Sequence, residues 1–265
     1  MLKEIGSVFS FLTIIPIGNS NLETIAKYMY IFPVVGIVIG LIVGSIGFGL
    51  SLFLDPLIVS LLVVTSFAIL TGIHHTDGLA DFADGLMVKG TKEQKLAAMK
   101  DLSTGSAGMV TIVLHIVGLL IVISLSTGYQ LFLAILLSEI IAKFSMVLMA
   151  SIGKSASLGS NSPFIEMMKN KNKLLLSTII TLIPMILLGG HIGLLVFGIG
   201  VTLTMFLVIL STRSFGGITG DVFGATNELT RLASLLVLFQ YDWHCDGRWQ
   251  RKSNEFNWRK TPSKI

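Results

Sequence analysis

Three aspartates and two histidines lie within residues 74–86, HHTDGLADFADGL, directly after an apolar run. Asp77, Asp81 and Asp84 are spaced i, i+4, i+7, so on an α-helix they fall on one face. Carboxylates held this close repel one another unless protons or cations neutralise them. A hard divalent ion such as Mg²⁺ is their natural partner, and a bound Mg²⁺ recruits phosphate oxygens in turn. The spacing therefore favours a metal site, formed by these aspartates, that acts on phosphate groups.

Other residues of this segment have more than one interpretation. His75 is a candidate general base or a partner of a catalytic group, although a polar residue at a membrane interface would look the same. Gly78 and Gly85 each follow an aspartate, and a glycine inside a helix costs about 1 kcal/mol relative to alanine. That cost suggests that a substrate or another helix approaches closely at these positions. For any single aspartate, a solvated loop in which the side chain caps a helix is an equal alternative.

A second polar segment, KDLSTGSAG at 100–108, leads into the next apolar run. Small residues at a helix N-terminus leave backbone N–H groups free, and such groups suit an anion such as a phosphate. Lys100, Asp101 and Gly105 are the candidate binding residues of this segment. A plain serine or glycine cap before a helix is the competing interpretation.

A third segment, RSFGGITGDVFGATNEL at 213–229, holds Asp221 among four glycines. A flexible loop with one carboxylate beside a membrane could supply another metal ligand or bind a nucleotide. Arg213, Gly217 and Asn227 are the further candidates for contacts with phosphate or nucleotide. The alternative is an ordinary glycine-rich connection.

The composition belongs to an integral membrane protein. Of the 265 residues, 52% are hydrophobic and 13% are charged, whereas soluble proteins average about 25% charged residues. Several apolar runs approach the roughly 20 residues that a spanning helix needs. We therefore predict an all-α, polytopic membrane protein with about six to eight transmembrane or partly inserted helices. The runs lie at 29–54, 57–72, 108–126, 130–151, 174–189 and 191–211.

The connections between these runs alternate in charge. The segments before the first run and at 73–107, 153–173 and 212–227 carry lysine or arginine, whereas 55–56, 127–129 and 189–190 carry neither. Because basic residues in short loops are retained on the inner side, the polar loops are predicted to face the cytoplasm from the cell membrane. The first residues resemble a signal peptide but lack a convincing cleavage site, which favours an uncleaved interfacial helix.

The chain divides by composition at about residue 239. Residues 240–265 hold six of the 19 basic and three of the 15 acidic residues, together with all three tryptophans. We predict a membrane-embedded domain over 1–239 and an atypical basic, aromatic tail over 240–265. The basic balance is mostly a property of the tail, so it does not predict binding of nucleic acid.

Glu139 and Lys143 lie one helical turn apart inside the 130–151 run. Charged groups at that depth are costly, which makes them functional candidates. Their i,i+4 spacing also lets them neutralise each other. Both interpretations remain open at this point.

The pattern H-x-D-G-L-A-D-x-A-D-G, here residues 75–85, resembles the signature of the adenosylcobinamide-GDP ribazoletransferase family, also called cobalamin synthases. Further matches are FLTIIPIG at 11–18, MKD with the following glycines at 99–108, and GGITGDVFGATNEL at 216–229. They follow the family's order over residues 1–238. The family ends in an apolar helix, whereas this chain stops being apolar near Leu238.

The resemblance implies an Mg²⁺-dependent membrane enzyme of late cobalamin biosynthesis. It implies that adenosylcobinamide-GDP is joined to α-ribazole or its 5′-phosphate with release of GMP. On this basis we expect Asp77 and Asp81 to bind Mg²⁺, with Asp84 as a third ligand or as the base. Asp221 would complete the metal site or hold the nucleotide. The sequence does not predict an oligomeric state.

Two other functions remain as alternatives. CDP-alcohol phosphotransferases also place aspartates on helices beside a membrane, but their D-G-x-x-A-R motif requires arginine where this chain has Phe82. A cation transporter could use the aspartates and the Glu139–Lys143 pair as a pathway. Against transport, the aspartates are predicted at the membrane boundary and not at its centre.

Overall fold

The computed structural model describes residues 2–18, 21–101, 103–156 and 162–245. Within these ranges the structure is built from helices, and the only β pairing is an isolated bridge between Ser155 and Ile218. This confirms the all-α prediction. The helices are α1 (Leu2–Leu12), α2 (Leu22–Lys27), α3 (Phe32–Leu50), α4 (Pro56–Thr71), α5 (His74–Met87), α6 (Lys92–Ala98), α7 (Ser106–Ile123), α8 (Gly128–Ile152), α9 (Ser162–Met168), α10 (Lys171–Phe215) and α11 (Gly220–Cys245).

Five of the described helical segments are long and apolar enough to cross a membrane. They are Met29–Leu50, which joins a short 3₁₀ turn to α3, then α7, α8, α10, and the Gly220–Gln240 part of α11. A sixth candidate combines α4 with α5, but these two helices meet at 93°. The protein is therefore a multi-pass membrane protein.

The 45 residues of α10 are enough for two spans. A straight helix of this length would measure about 68 Å, roughly twice the thickness of the apolar core of a bilayer. Gly190 has φ 54° and ψ −133°, outside the helical region. Gly193 lies directly against the carbonyl group of Met185. The helix folds back on itself at Gly190, which separates the predicted spans 174–189 and 191–211.

Contacts between connections distinguish two ends of the molecule. At one end Gly128 N–H donates to Ser51 Oγ at 2.9 Å, so two short connections without lysine or arginine lie together. At the other end Ile218 N–H donates to the Lys154 carbonyl at 2.8 Å. Two of the connections that carry basic residues therefore meet, as their alternation along the sequence predicts.

Helix α8 forms the centre of the bundle and packs against α3, α10 and α11. Glycines on α3 allow a close crossing: a Cβ atom at Gly36 would lie 2.6 Å from the Glu139 carbonyl oxygen, and one at Gly40 would lie 2.8 Å from Leu136 Cα. Small residues four apart allow two helix backbones to approach each other in a membrane. This crossing fixes α8 against α3, and α8 in turn packs against α11, which carries Asp221.

The two terminal regions complete the described fold. The eleven residues of α1 are too few to cross a membrane, and Val8 and Leu12 are buried. This agrees with the predicted partly inserted helix. At the other end α11 continues to Cys245, past the point near Leu238 where apolar composition ends. Residues 246–265, most of the predicted tail, lie outside the described residues.

Candidate active site

The aspartate helix α5 begins at a sharp turn after α4. Gly72 and Ile73 both have positive φ, 68° and 54°, and α5 then leaves the direction of α4 by 93°. Glycine adopts this conformation readily, whereas isoleucine does so at a cost. The turn directs the polar residues of α5 away from the span, and we therefore place α5 at the membrane boundary. The sequence predicted the helix but not this turn.

A tight crossing joins α5 to the first turns of α11. A Cβ atom at Gly78 would lie 3.0 Å from both Asp221 Cα and the Asp221 carbonyl oxygen. On the other side, a Cβ atom at Gly224 would lie 3.0 Å from the His75 carbonyl oxygen. Glycine at both positions lets the two backbones meet, so the close approach predicted at Gly78 is that of another helix. The crossing brings Asp221 to the aspartates of α5.

Asp81 lies close enough to three other aspartates for their charges to act on it. Burial and the neighbouring carboxylates of Asp77, Asp221 and Asp84 raise the pKa of Asp81 to about 6. Each neighbour disfavours a further negative charge, and a cation placed among them would reverse that effect. The four aspartates predicted as metal ligands are therefore near enough to influence one another's charge.

These carboxylates fit Mg²⁺ in donor type. Among the described residues, no group of three or more histidine, cysteine, aspartate or glutamate side chains forms a preassembled metal site. Mg²⁺ in phosphoryl-transfer sites keeps several waters and uses one or two carboxylates together with substrate phosphates. A site of this kind is completed by the substrate. Mg²⁺ remains a prediction.

Asp84 has a partner within the protein. Its two carboxylate oxygens accept hydrogen bonds from the N–H groups of Gly105, at 2.7 Å, and Gly108, at 2.8 Å. The N-terminus of α7 therefore binds an anion. That anion is the Asp84 carboxylate, whereas the sequence predicted a substrate phosphate at Gly105. Because both oxygens are engaged, Asp84 ties α5 to α7.

The basic and acidic residues predicted around the phosphate have different surroundings. Lys100 lies close enough to Asp221 for its positive charge to act on that carboxylate. Asp101 is exposed and accepts hydrogen bonds from the N–H and hydroxyl groups of Ser103, at 2.9 and 2.6 Å. Arg213 is exposed in the last turn of α10. Of the three, Lys100 is the one that the structure brings to the carboxylates.

Gly217 and Asn227 are packed inside the protein. A Cβ atom at Gly217 would lie 2.5 Å from the Lys154 carbonyl oxygen, so this glycine permits a close backbone crossing. Asn227 is fully buried and accepts a hydrogen bond from Lys143 Nζ at 2.7 Å. The sequence predicted both as contacts for nucleotide or phosphate, whereas their structural surroundings are those of packing and buried hydrogen bonding.

Asn227 belongs to a buried polar network between α7, α8 and α11. Glu139 pairs with Arg231 and lies 3.5 Å from Lys143 Nζ. Glu228 pairs with the same Arg231, and its Oε2 atom lies 2.9 Å from His115 Nε2. Two cations thus balance two carboxylates, and the Glu139–Lys143 pair is neutralised internally. The sequence analysis missed Arg231, whose signal is an isolated charge three residues after Glu228.

A cavity of about 500 Å³ opens beside the aspartates. Asp77 and Asp221 line it together with His74 and His75. His75 is 9% exposed, and its Nδ1 atom has no hydrogen-bond partner among the described residues. Much of the remaining lining is aromatic and apolar. Carboxylates and an apolar chamber therefore share one site, as in pockets that bind small molecules.

The sequence model of the cobalamin-5-phosphate synthase family matches residues 4–239. The chain belongs to this family. Three relatives are each named adenosylcobinamide-GDP ribazoletransferase. The one from Methanocella arvoryzae is 32% identical, with 92% of this chain and 97% of the relative covered. The relative from Archaeoglobus fulgidus is 34% identical, with 90% of this chain and 97% of the relative covered. The relative from Thermococcus onnurineus is 36% identical, with 88% of this chain and 95% of the relative covered. No solved structure matches the chain significantly.

In this member of the cobalamin-5-phosphate synthase family, we expect Gly78→Val to reduce turnover about 10- to 100-fold. The added side chain would separate α5 from α11 and move Asp221, and a displacement of about 1 Å at a catalytic site can cost 100-fold. Gly49→Val is the matched control, since a Cβ atom at helical Gly49 meets nothing within 4 Å. Initial rates of cobalamin formation check both variants. Equal rates for the two would show that the crossing does not position the carboxylates.

Proposed function

We propose that this chain joins adenosylcobinamide-GDP to α-ribazole or its 5′-phosphate, giving adenosylcobalamin or its 5′-phosphate and GMP, with Mg²⁺. The observation that carries the proposal is Asp81, whose charge is influenced by three further aspartates, two of which, Asp77 and Asp221, line the cavity. Family membership and the names of the relatives supply the substrates. They also favour this function over the CDP-alcohol phosphotransferase and the cation transporter.

The reaction is a phosphoryl transfer. A ribose hydroxyl oxygen of the ribazole forms a bond to the phosphorus that carries the cobinamide. The bond from that phosphorus to the bridging pyrophosphate oxygen breaks, and GMP leaves with the electron pair. The hydroxyl proton passes to a base. Such transfers depend mainly on positioning and on neutralising the charge of the phosphates.

The aspartates divide these tasks by position. Asp77, Asp81 and Asp221 would hold Mg²⁺, which when bound neutralises the pyrophosphate and stabilises the leaving GMP. Asp77 and Asp221 also line the cavity, which supports one of them as the acceptor of the hydroxyl proton. Asp84 orients α5 through its hydrogen bonds to α7. Lys100 adds a positive charge beside Asp221 for a phosphate oxygen.

We further propose that the site faces the cytoplasm from the cell membrane. The supporting observation is that the basic connections lie on the side of the aspartates, in agreement with the retention of lysine and arginine on the inner side. Inverted vesicles, which expose the cytoplasmic face, should then convert added substrates without permeabilisation. Activity that appears only after permeabilisation would contradict this orientation.

Removal of divalent ions is expected to abolish the reaction. Membranes containing the chain are treated with EDTA, washed, and supplied with adenosylcobinamide-GDP and α-ribazole. Cobalamin and GMP should then form in equal amounts only after Mg²⁺ is restored, because the phosphates and the clustered carboxylates would otherwise repel each other. EDTA saturated with Mg²⁺ is the control. An undiminished rate without divalent ions would refute the metal requirement but leave the transfer itself standing.

A further inference from the structure

We propose that the cavity of about 500 Å³ holds the heteroaromatic base of the ribazole substrate and directs its ribose toward Asp77 and Asp221. This inference rests on the proposed function and assigns one of the two substrates to a defined site. The assignment follows from the chemistry of the cavity lining and from one buried atom that lacks a partner.

One wall of the cavity is a continuous aromatic surface. The rings of Phe11 and Phe164 are stacked with centroids 5.6 Å apart. Phe32 lies 6.3 Å from Phe11, and Phe223 lies 6.4 Å from Phe164. These side chains come from α1, α3, α9 and α11, so several helices converge to form the wall. A planar ring can pack against this surface, since aromatic pairs favour offset-stacked or edge-to-face arrangements.

The polar part of the lining belongs to α5 and the first turns of α11. It presents the carboxylates of Asp77 and Asp221. Gly220 and Gly224 also line the cavity and leave room beside these carboxylates. A ligand with a flat apolar ring and a hydroxylated sugar would therefore meet matching surfaces at its two ends. The sugar hydroxyls would lie on the side where the transfer takes place.

The chemistry of the aromatic wall favours the ribazole base over the other groups of the substrates. A dimethylbenzimidazole is apolar apart from one free ring nitrogen. Guanine carries several N–H and C=O groups, and burying them against phenylalanine without partners would be costly. The corrinoid is far larger than a drug-sized ligand, and cavities of about 300–1,000 Å³ enclose ligands of drug size. The cavity therefore fits the smaller substrate.

His75 supplies the one polar contact that such a base needs. The side chain lines the cavity and is 9% exposed, and its Nδ1 is buried without a hydrogen-bond partner among the described residues. A rotation of the His75 ring would bring the N–H group at this position to the cavity, where it can donate to the free ring nitrogen of the base. A buried polar atom without a partner is unfavourable, and the ligand would satisfy it.

The test compares Michaelis constants for the two substrates, using the full chain in membranes. Phe164→Ala removes the central ring of the aromatic wall, and stacking losses predict a rise in KM for α-ribazole of about 10- to 100-fold. The KM for adenosylcobinamide-GDP should change less than about threefold. Phe11→Ala is a second variant, because Phe11 is 39% exposed and its removal spares the core. Phe197→Ala is the matched control, since Phe197 packs on Phe144 at 5.3 Å and does not line the cavity.

The outcomes separate this inference from the proposed function. A rise in the α-ribazole KM for both cavity variants, with the control unchanged, supports the assignment. An unchanged α-ribazole KM, or a rise confined to adenosylcobinamide-GDP, overturns it while the transfer activity stands. If the parent chain forms no cobalamin, the proposed function fails. Equilibrium dialysis with labelled α-ribazole then tests the cavity directly, and equal binding by parent and Phe164→Ala would overturn the inference.

Discussion

Asp81→Asn is expected to lower kcat for cobalamin formation by about 100- to 1,000-fold while the protein still inserts in the membrane. Asparagine keeps the size of the side chain but removes its negative charge. That charge would help the three neighbouring carboxylates to hold a cation. Loss of one preorganised charge or hydrogen-bond contact in a catalytic site typically costs this much. Steady-state rates at saturating substrates, over a range of Mg²⁺ concentrations, measure the effect.

Asp55→Asn is the matched control for this variant. Asp55 caps α4, where its side chain accepts a hydrogen bond from Leu57 N–H at 2.9 Å. Asparagine caps helices about as well as aspartate, so activity should be retained. Normal turnover by Asp81→Asn, at an expression level equal to that of the control, would show that the charge of Asp81 is not needed for the reaction. A loss in both variants would indicate a general effect on insertion and not on the site.

The aspartate helix could be predicted because its signal is local. The spacing of Asp77, Asp81 and Asp84 encodes one helix face, and the apolar runs encode the spans through their length. The glycines of α5 also indicated a close approach, and Gly78 meets α11. Properties that depend on a few neighbouring residues of the chain could therefore be predicted from the sequence.

The tertiary contacts of these residues could not be predicted, because the two residues of each contact lie far apart in the chain. The N-terminus of α7 was predicted to bind phosphate, but it binds Asp84, a residue 21 positions before Gly105. Asn227 was predicted to contact nucleotide or phosphate because it lies in the same segment, 213–229, as Asp221. Helical geometry instead turns Asn227 toward α8, where it meets Lys143. The turn at Ile73 was also missed, because isoleucine gives no sign of a positive φ.

The buried network should be the most sensitive part of the fold to mutation. Arg231→Met is expected to destabilise the protein by about 3–5 kcal/mol, because Glu139 and Glu228 would keep their charges without their shared partner. Arg231 also lies over the ring of Phe67, with the guanidinium 4.6 Å from the ring centroid. Thermal unfolding of the detergent-solubilised protein measures the loss. Arg213→Met, at the exposed end of α10, should leave the unfolding temperature unchanged.

A second substitution distinguishes a charge effect from a packing effect. Combining Arg231→Met with Glu228→Gln removes one cation and one carboxylate, so that Glu139 and Lys143 remain as a balanced pair. The double variant should recover part of the lost stability, whereas a packing defect would persist or worsen. Because Glu228 and Arg231 lie on the helix that carries Asp221, Arg231→Met should also lower turnover, and the double variant should recover part of it together with the stability. Recovered stability with no recovered turnover would mean that the network contributes to the reaction directly, and not only by holding α11 against α8.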